Sequence, residues 1–296
     1  MRELVAVNGE IFKPEEAKIS VFDRGFLYGD GVYEVARSYG RIFFGLEEHI
    51  DRLFNSAQQI GLDIGSSKSE LIKEIYRIYK TADRDDCYMR IVVTRGEGPI
   101  GLDPAKASKP NIVIFVKDIP QVDPKLYETG MDIITASVLR NPKKSLDPNI
   151  KSGNYLNNVM AMGEASRQKA HDAVMVNRDG KVTEGTTWNI FMVKNGGLVT
   201  APDEADILQG ITRRKLKSIA ELAGIKWEER YFTSDELKKA DEVFTTGSVK
   251  EVMPVKTIDG TLIGSGKVGP VTLKLAKLYK EHVKDYCKEA LAKGIL

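Results

Sequence analysis

Two hydrophobic periods run through this chain, and they never settle into a repeating strand-helix-strand unit. Residues Val32-Tyr-Glu-Val-Ala-Arg-Ser-Tyr39 alternate, placing Tyr33, Val35, Arg37 and Tyr39 on one face of a strand and Val32, Glu34 and Ala36 on the other. Leu46, Ile50, Leu53, Ala57 and Ile60 then recur at helical spacing and predict an amphipathic helix that stops near Gly61, with Arg52 beside the apolar stripe. A second helix is expected after Ser67, whose Ser-x-x-Glu spacing to Glu70 fits a capping box, with Leu71, Ile75 and Tyr79 as its buried line. Cys87-Tyr-Met-Arg-Ile-Val-Val-Thr94 returns to the period of two, with Tyr88, Arg90, Val92 and Thr94 on one face. Near the start, Asn8-Gly9 between two short apolar runs predicts a hairpin, because this pair supplies the positive φ angles of a type I′ turn. With both element types mixed throughout and no βαβ period, the expected fold class is α+β, not a doubly wound parallel sheet.

A chain of 296 residues suggests about two domains. The segment Lys117-Asp-Ile-Pro-Gln-Val-Asp-Pro124 holds two prolines among turn formers and reads as a connector. The expected division is a smaller domain over 1–118, a connector over 119–131 and a larger domain over 132–296. Within the larger domain, strands are expected at 132–138, 173–176, 181–183, 188–193, 225–231 and 241–245, and helices at 155–170, 210–224 and 268 to about 288.

Composition excludes several classes of function. Forty-four Lys and Arg against 42 Asp and Glu leave a net charge of +2, too small for a nucleic-acid footprint, so small-molecule ligands are the expected partners. Cys87 and Cys287 lie far apart with no CxxC spacing, which predicts neither a disulfide framework nor a zinc site and fits a reducing, cytoplasmic setting. No window offers the long uncharged stretch of a membrane span. His49, His171 and His282 stand singly, so no metal site and no Ser-His-Asp triad is expected, and each reads as a structural histidine.

The chemistry-bearing candidates are a lysine, a carboxylate and two anion-type turns. Lys151 lies between a proline-containing loop and a helix and is followed by Ser152 and Gly153. There an amine can point into a cavity, although taken alone it fits a solvated cation better. Gly210-Ile-Thr-Arg213 opens a helix and Thr246-Gly-Ser248 follows a strand, and both offer backbone N–H groups and hydroxyls that suit a phosphate or serve simply as caps. Glu184 stands at a strand end beside Gly185, where it could equally be a solvated turn carboxylate.

Together these pieces resemble the class IV aminotransferases, the fold-type IV pyridoxal phosphate family that includes branched-chain amino acid and D-amino acid aminotransferases. The resemblance runs through Phe22-Asp-Arg-Gly-Phe-Leu-Tyr-Gly-Asp-Gly-Val-Tyr-Glu34, Glu48-His-Ile-Asp-Arg-Leu53, Gly101-Leu-Asp-Pro104, Ile150-Lys-Ser-Gly-Asn-Tyr-Leu-Asn157, Val182-Thr-Glu-Gly185, Gly210-Ile-Thr-Arg213 and Gly269-Pro-Val-Thr272. It implies a two-domain fold with pyridoxal 5′-phosphate between a smaller N-terminal and a larger C-terminal domain, in a homodimer or larger homo-oligomer. Lys151 matches the lysine that holds the cofactor covalently and then moves a proton as acid and base. Glu184 matches the carboxylate that keeps the pyridine nitrogen protonated, and Tyr155 the phenol on the ring hydroxyl. Arg52, Ile211, Thr212 and Ser248 match the phosphate cradle, while Tyr28, Tyr33, Arg37, Tyr88 and Arg90 fall where the family binds substrate.

The implied reaction is ping-pong transfer of an amino group from an amino acid to a 2-oxo acid such as 2-oxoglutarate. Tyr88-x-Arg90, Gly101-Leu-Asp-Pro104 and Tyr155 look like the branched-chain subgroup, whereas Val32-Tyr-Glu-Val35 looks more like D-amino acid aminotransferases. Trp188 and Lys250 replace the small residues usual in two loops near the substrate. D-amino acid transamination, (R)-amine transamination, aminodeoxychorismate lyase chemistry and a non-catalytic cofactor-binding module remain the alternatives.

Overall fold

A computed structural model describes residues 3–294 as two compact units. The first comprises Met1–Pro120, Ile150–Asn154 and Val283–Leu296, and the second Gln121–Asn149 and Tyr155–His282. Met1, Arg2, Ile295 and Leu296, at the outer ends of the two expected domains, lie outside the described residues.

The first unit contains strands β1 (Leu4–Val7) and β2 (Glu10–Phe12), helix α1 (Arg24–Tyr28), strands β3 (Gly31–Tyr39) and β4 (Ile42–Phe43), helices α2 (Leu46–Gln59) and α3 (Lys68–Ala82), and strands β5 (Tyr88–Thr94) and β6 (Asn111–Lys117). Its six strands form an antiparallel sheet in the order β2-β1-β6-β5-β3-β4. The β1/β2 turn has Asn8 and Gly9 at φ 51° and 88°, as the Asn-Gly pair predicts. At the head of α3, Ser67 Oγ accepts from the Glu70 N–H at 3.2 Å and Glu70 Oε2 accepts from the Ser67 N–H at 2.8 Å, the predicted capping box. The apolar stripe of α2, Leu46, Ile50, Leu53 and Ala57, packs with Leu71, Ile75 and Ile78 of α3 and with Val32, Ala36, Met89 and Ile91 of the sheet.

The second unit contains α4 (Leu126–Thr129), β7 (Met131–Thr135), α5 (Leu156–Arg167), β8 (Asp172–Val176), β9 (Val182–Gly185), β10 (Asn189–Lys194), β11 (Gly197–Thr200), α6 (Ile211–Leu222), β12 (Trp227–Glu229), α7 (Ser234–Lys238), β13 (Glu242–Gly247), β14 (Glu251–Ile258) and β15 (Thr261–Leu262). Helix α8 (Pro270–Ala292) begins in it. The sheet runs β12-β11-β10-β13-β14-β7-β8-β9 with β15 beside β14, and mixes antiparallel pairs with the parallel pairs β11/β12, β14/β7 and β7/β8. Strand β14 escaped the sequence pattern because Pro254 interrupts it. The sheet tolerates the proline because β7 joins β14 only from Val255 onward, so the missing N–H falls where the ladder has not begun. Among the described residues no helix is long and apolar enough to cross a membrane.

Candidate active site

Lys151 is carried to the first unit by a short edge pairing. The Tyr33 N–H donates to the Lys151 carbonyl at 2.8 Å, the Gly153 N–H donates to the Gly31 carbonyl at 3.1 Å, and Val32 bridges Ser152. The Lys151 N–H in turn donates to Ser56 Oγ on α2 at 3.2 Å. Thus a residue more than a hundred positions away is fixed against the N-terminal half of β3. Its amine lies 3.3 Å from the Tyr33 hydroxyl and 4.5 Å from the centre of that ring. The Arg90 guanidinium stands 4.1 Å from the same ring centre, so a phenol and two cations meet on one side of the β3/β5 pair.

The other expected substrate residues of this unit fall on the same sheet or beside it. Arg37 is paired in register with Tyr88, and Val35 with Arg90, which gives all four one face. The Arg37 guanidinium lies 4.5 Å from the Tyr39 ring centre. Tyr28, at the end of α1, accepts the Gly101 N–H on its hydroxyl at 3.0 Å, so it anchors the Gly101-Leu-Asp-Pro104 loop.

Behind β3 is a buried ionic cluster that includes Arg52. Its Nε donates to Glu34 Oε1 at 2.6 Å and its Nη2 to Glu34 Oε2 at 2.8 Å, a two-pronged pair that fixes the plane of the guanidinium. His49 Nδ1 completes the cluster at 2.7 Å from Glu34 Oε2. Burial alone pushes the Glu34 carboxyl up, but the Arg52 charge and bonds, followed by those of His49, hold it well below the usual carboxylate range. Burial also drives the His49 imidazole below its ordinary value, outweighing Glu34, with Arg52 and Lys151 adding to the depression. His49 is therefore the neutral donor of its Nδ1–H to an ionised Glu34, a satisfied structural histidine.

In the second unit, Glu184 lies within β9 and is buried, so the solvated-turn reading is corrected. Arg140 closes on Glu184 Oε1 with Nε at 3.1 Å and Nη2 at 2.8 Å, while Asn189 Nδ2 and the Leu208 N–H donate to Oε2 at 3.2 and 2.9 Å. This set of donors fixes the orientation of the carboxylate. Tyr155 is the residue from which α5 departs, with its side chain making no cap bond.

Helix α6 starts at Gly210 without a side-chain cap, which leaves the first-turn amides of Ile211 and Thr212 outside the helical bonding pattern. A Cβ on Gly210 would stand 2.1 Å from Asn189 Oδ1, so any larger residue has to displace the side chain that also holds Glu184. Asn189 is in register with Thr246, whose buried hydroxyl has no hydrogen-bond partner among the described residues. Ser248 lies in the turn just after β13. Lys250, in the same turn, directs its amine to the buried Asp172 at 3.2 Å, and Trp188 is buried with its ring against Gly185. Among the described residues no group of three or more His, Cys, Asp and Glu could hold a metal ion.

Sequence reasoning missed Glu34, Arg140, Asn189 and Asp172 as members of these clusters. A buried carboxylate demands a counter-cation, but the burial of Glu184 is itself decided by the tertiary structure. Nothing in sequence spacing distinguishes Arg140 from the other basic residues as that partner.

Comparisons with known proteins identify the family. Residues 31–258 match the family model described as amino-transferase class IV. A Methanocaldococcus jannaschii protein provisionally named a branched-chain-amino-acid aminotransferase is 43% identical over 277 residues, covering 94% of this chain and 95% of that protein. The D-alanine aminotransferase of Bacillus licheniformis is 40% identical over 268 residues, covering 90% and 93%. The solved branched-chain aminotransferase of Thermoproteus uzoniensis with norvaline has a TM-score of 0.88 at 34% identity, covering 95% of this chain and 94% of that one. The chain therefore belongs to the class IV aminotransferases and has their two-domain α+β architecture of fold type IV.

Proposed function

We propose that this aminotransferase uses pyridoxal 5′-phosphate and moves the amino group of a branched-chain L-amino acid to a 2-oxo acid such as 2-oxoglutarate in a ping-pong cycle. The observation that carries the reading is the Lys151 amine held at the Tyr33 hydroxyl with Arg90 on the same ring. When bound, the cofactor would supply an electron sink for a carbanion at the substrate Cα. Lys151 would bind it and move the Cα proton through Nζ, and Glu184 would hold the proton on the ring nitrogen. Tyr155 would meet the ring hydroxyl. The uncapped amides of Ile211 and Thr212, with Ser248 and Arg52, would receive the phosphate, and the unsatisfied Thr246 hydroxyl supports an anion there. Tyr28, Tyr33, Arg37, Tyr88 and Arg90 would bind substrate, with the cations suiting its carboxylate.

The relative named a D-alanine aminotransferase supports D-amino acids as the second reading. The deciding experiment follows the visible absorbance of the holoenzyme with leucine, isoleucine, D-alanine and an (R)-amine. Leucine and isoleucine are expected to react, and a protein that reacts with D-alanine but not leucine overturns the substrate assignment. Lys151→Ala is expected to abolish transfer, whereas Glu184→Gln should slow it by about 10² or more, with the site still filled at saturating pyridoxal phosphate. A purified protein that stays colourless with added pyridoxal phosphate would sink the enzymatic reading altogether. The proposal includes a cytoplasmic homodimer or larger homo-oligomer.

A further inference from the structure

Lys250 lies outside every role assigned above, yet its amine is committed to a buried carboxylate. Asp172 stands at the head of β8 with 3% exposure. Its Oδ1 accepts from Thr186 Oγ1 at 2.6 Å and from the Ala173 N–H at 2.9 Å, and its Oδ2 accepts from Lys250 Nζ at 3.2 Å. Thr186 belongs to the turn between β9 and β10, and Lys250 to the turn between β13 and β14. These turns adjoin, since a Cβ on Gly247 would lie 3.5 Å from the Thr187 carbonyl and 3.8 Å from Trp188 Cβ. The Asp172 carboxylate therefore ties the two turns together, and a carboxylate buried without a cation is costly.

From Thr186 the bonding continues toward Glu184. The Thr186 carbonyl accepts from Asn158 Nδ2 at 2.7 Å, and Asn158 Oδ1 accepts from Arg140 Nη1 at 3.4 Å. The same guanidinium closes on Glu184. We propose that Lys250 is a positioning residue that neutralises Asp172, thereby fixing the Thr186 turn and, through Asn158 and Arg140, the orientation of the Glu184 carboxylate. The inference rests on Glu184 as the partner of the cofactor's ring nitrogen.

The test compares wild type, Lys250→Met, Lys250→Arg and the double variant Asp172→Asn/Lys250→Met. Readouts are the dissociation constant for pyridoxal 5′-phosphate, from titration of the visible absorbance, together with kcat, KM for the amino donor and Tm. Lys250→Met is expected to weaken cofactor binding and lower kcat by about tenfold each, with KM within about twofold. Lys250→Arg should restore both, and so should the double variant, because an uncharged amide in place of the carboxylate needs no cation. A Lys250→Met protein equal to wild type in affinity and kcat overturns the proposal, even if its Tm falls, because that would be a merely structural role. A double variant no better than the single also overturns it. Should Lys250→Met fail to fold, a double variant close to wild type supports the proposal and an impaired one overturns it. Failure of the wild type to take up the cofactor would sink the functional reading as well, whereas the other adverse outcomes sink this inference alone.

Discussion

Glu34 shows how one residue can organise a cation without touching substrate. It is fully buried, and Arg52 and His49 supply its bonds. Glu34→Gln removes the charge that Arg52 needs, leaving a cation uncompensated in a protein interior, and is expected to destabilise by about 3 kcal/mol or more in urea denaturation. The same cluster makes stability depend on pH in one direction. Glu34 has a depressed folded-state value, so its contribution is present above the ordinary glutamate value of 4.5 and is lost as pH falls below it. His49 is also depressed, so the unfolded chain takes up its proton first as pH drops below 6.5, and that too favours unfolding. Urea midpoints are therefore expected to fall between about pH 7.5 and about pH 5.5, with a shallower slope in His49→Gln. A flat profile in the wild type would contradict the buried neutral imidazole. The chemical identities of Lys151 and Glu184 were readable from their motifs. The partners Arg140 and Glu34 were not, because a counter-charge is selected by proximity in space.

At the scale of elements, local signals were the more faithful guide. The Ser67 capping box formed as its spacing predicts, and Ser67→Ala should cost about 1 kcal/mol in thermal or chemical unfolding. The start of α6 carries more consequence. Gly210 has an ordinary helical-entry φ of −65°, so glycine is favoured there by space and not by conformation. Gly210→Ala is expected to displace Asn189, cost about 1–3 kcal/mol, and weaken pyridoxal phosphate binding about tenfold by disturbing both the amide turn and Glu184. Retained stability and affinity, measured by thermal unfolding and absorbance titration, would show that the site relaxes freely. Strand β9 illustrates the limit of local reading: its last residues look like a loop, and only pairing with β8 extends them into the sheet and buries Glu184.

At the scale of the molecule, each unit is built around its own sheet and core. Self-association is part of the proposed function, and helix α5 supports it with Leu156, Val159 and Met160 exposed at 71%, 61% and 51% in an i, i+3, i+4 stripe. Sedimentation is expected to give a dimer or larger species at micromolar concentrations, and a monomer at every concentration would overturn that expectation. Tyr28 and Arg24 both brace the loop at Gly101 and Leu102. Nothing in the spacing of those residues announces that contact, because it joins segments separated by more than seventy positions.

The sequence by itself determined the class of fold and the reaction family, because periodicity and ordered motifs are properties of the chain read along its length. It also determined local devices such as the Asn8-Gly9 turn and the Ser67 cap, whose partners lie within a few residues. Only the tertiary structure decided that Lys151 adds an edge to β3, that Arg140 answers Glu184, and that Lys250 answers Asp172. Those outcomes depend on desolvation and charge pairing between distant segments. The cost of a buried charge exists only once the chain has closed around it.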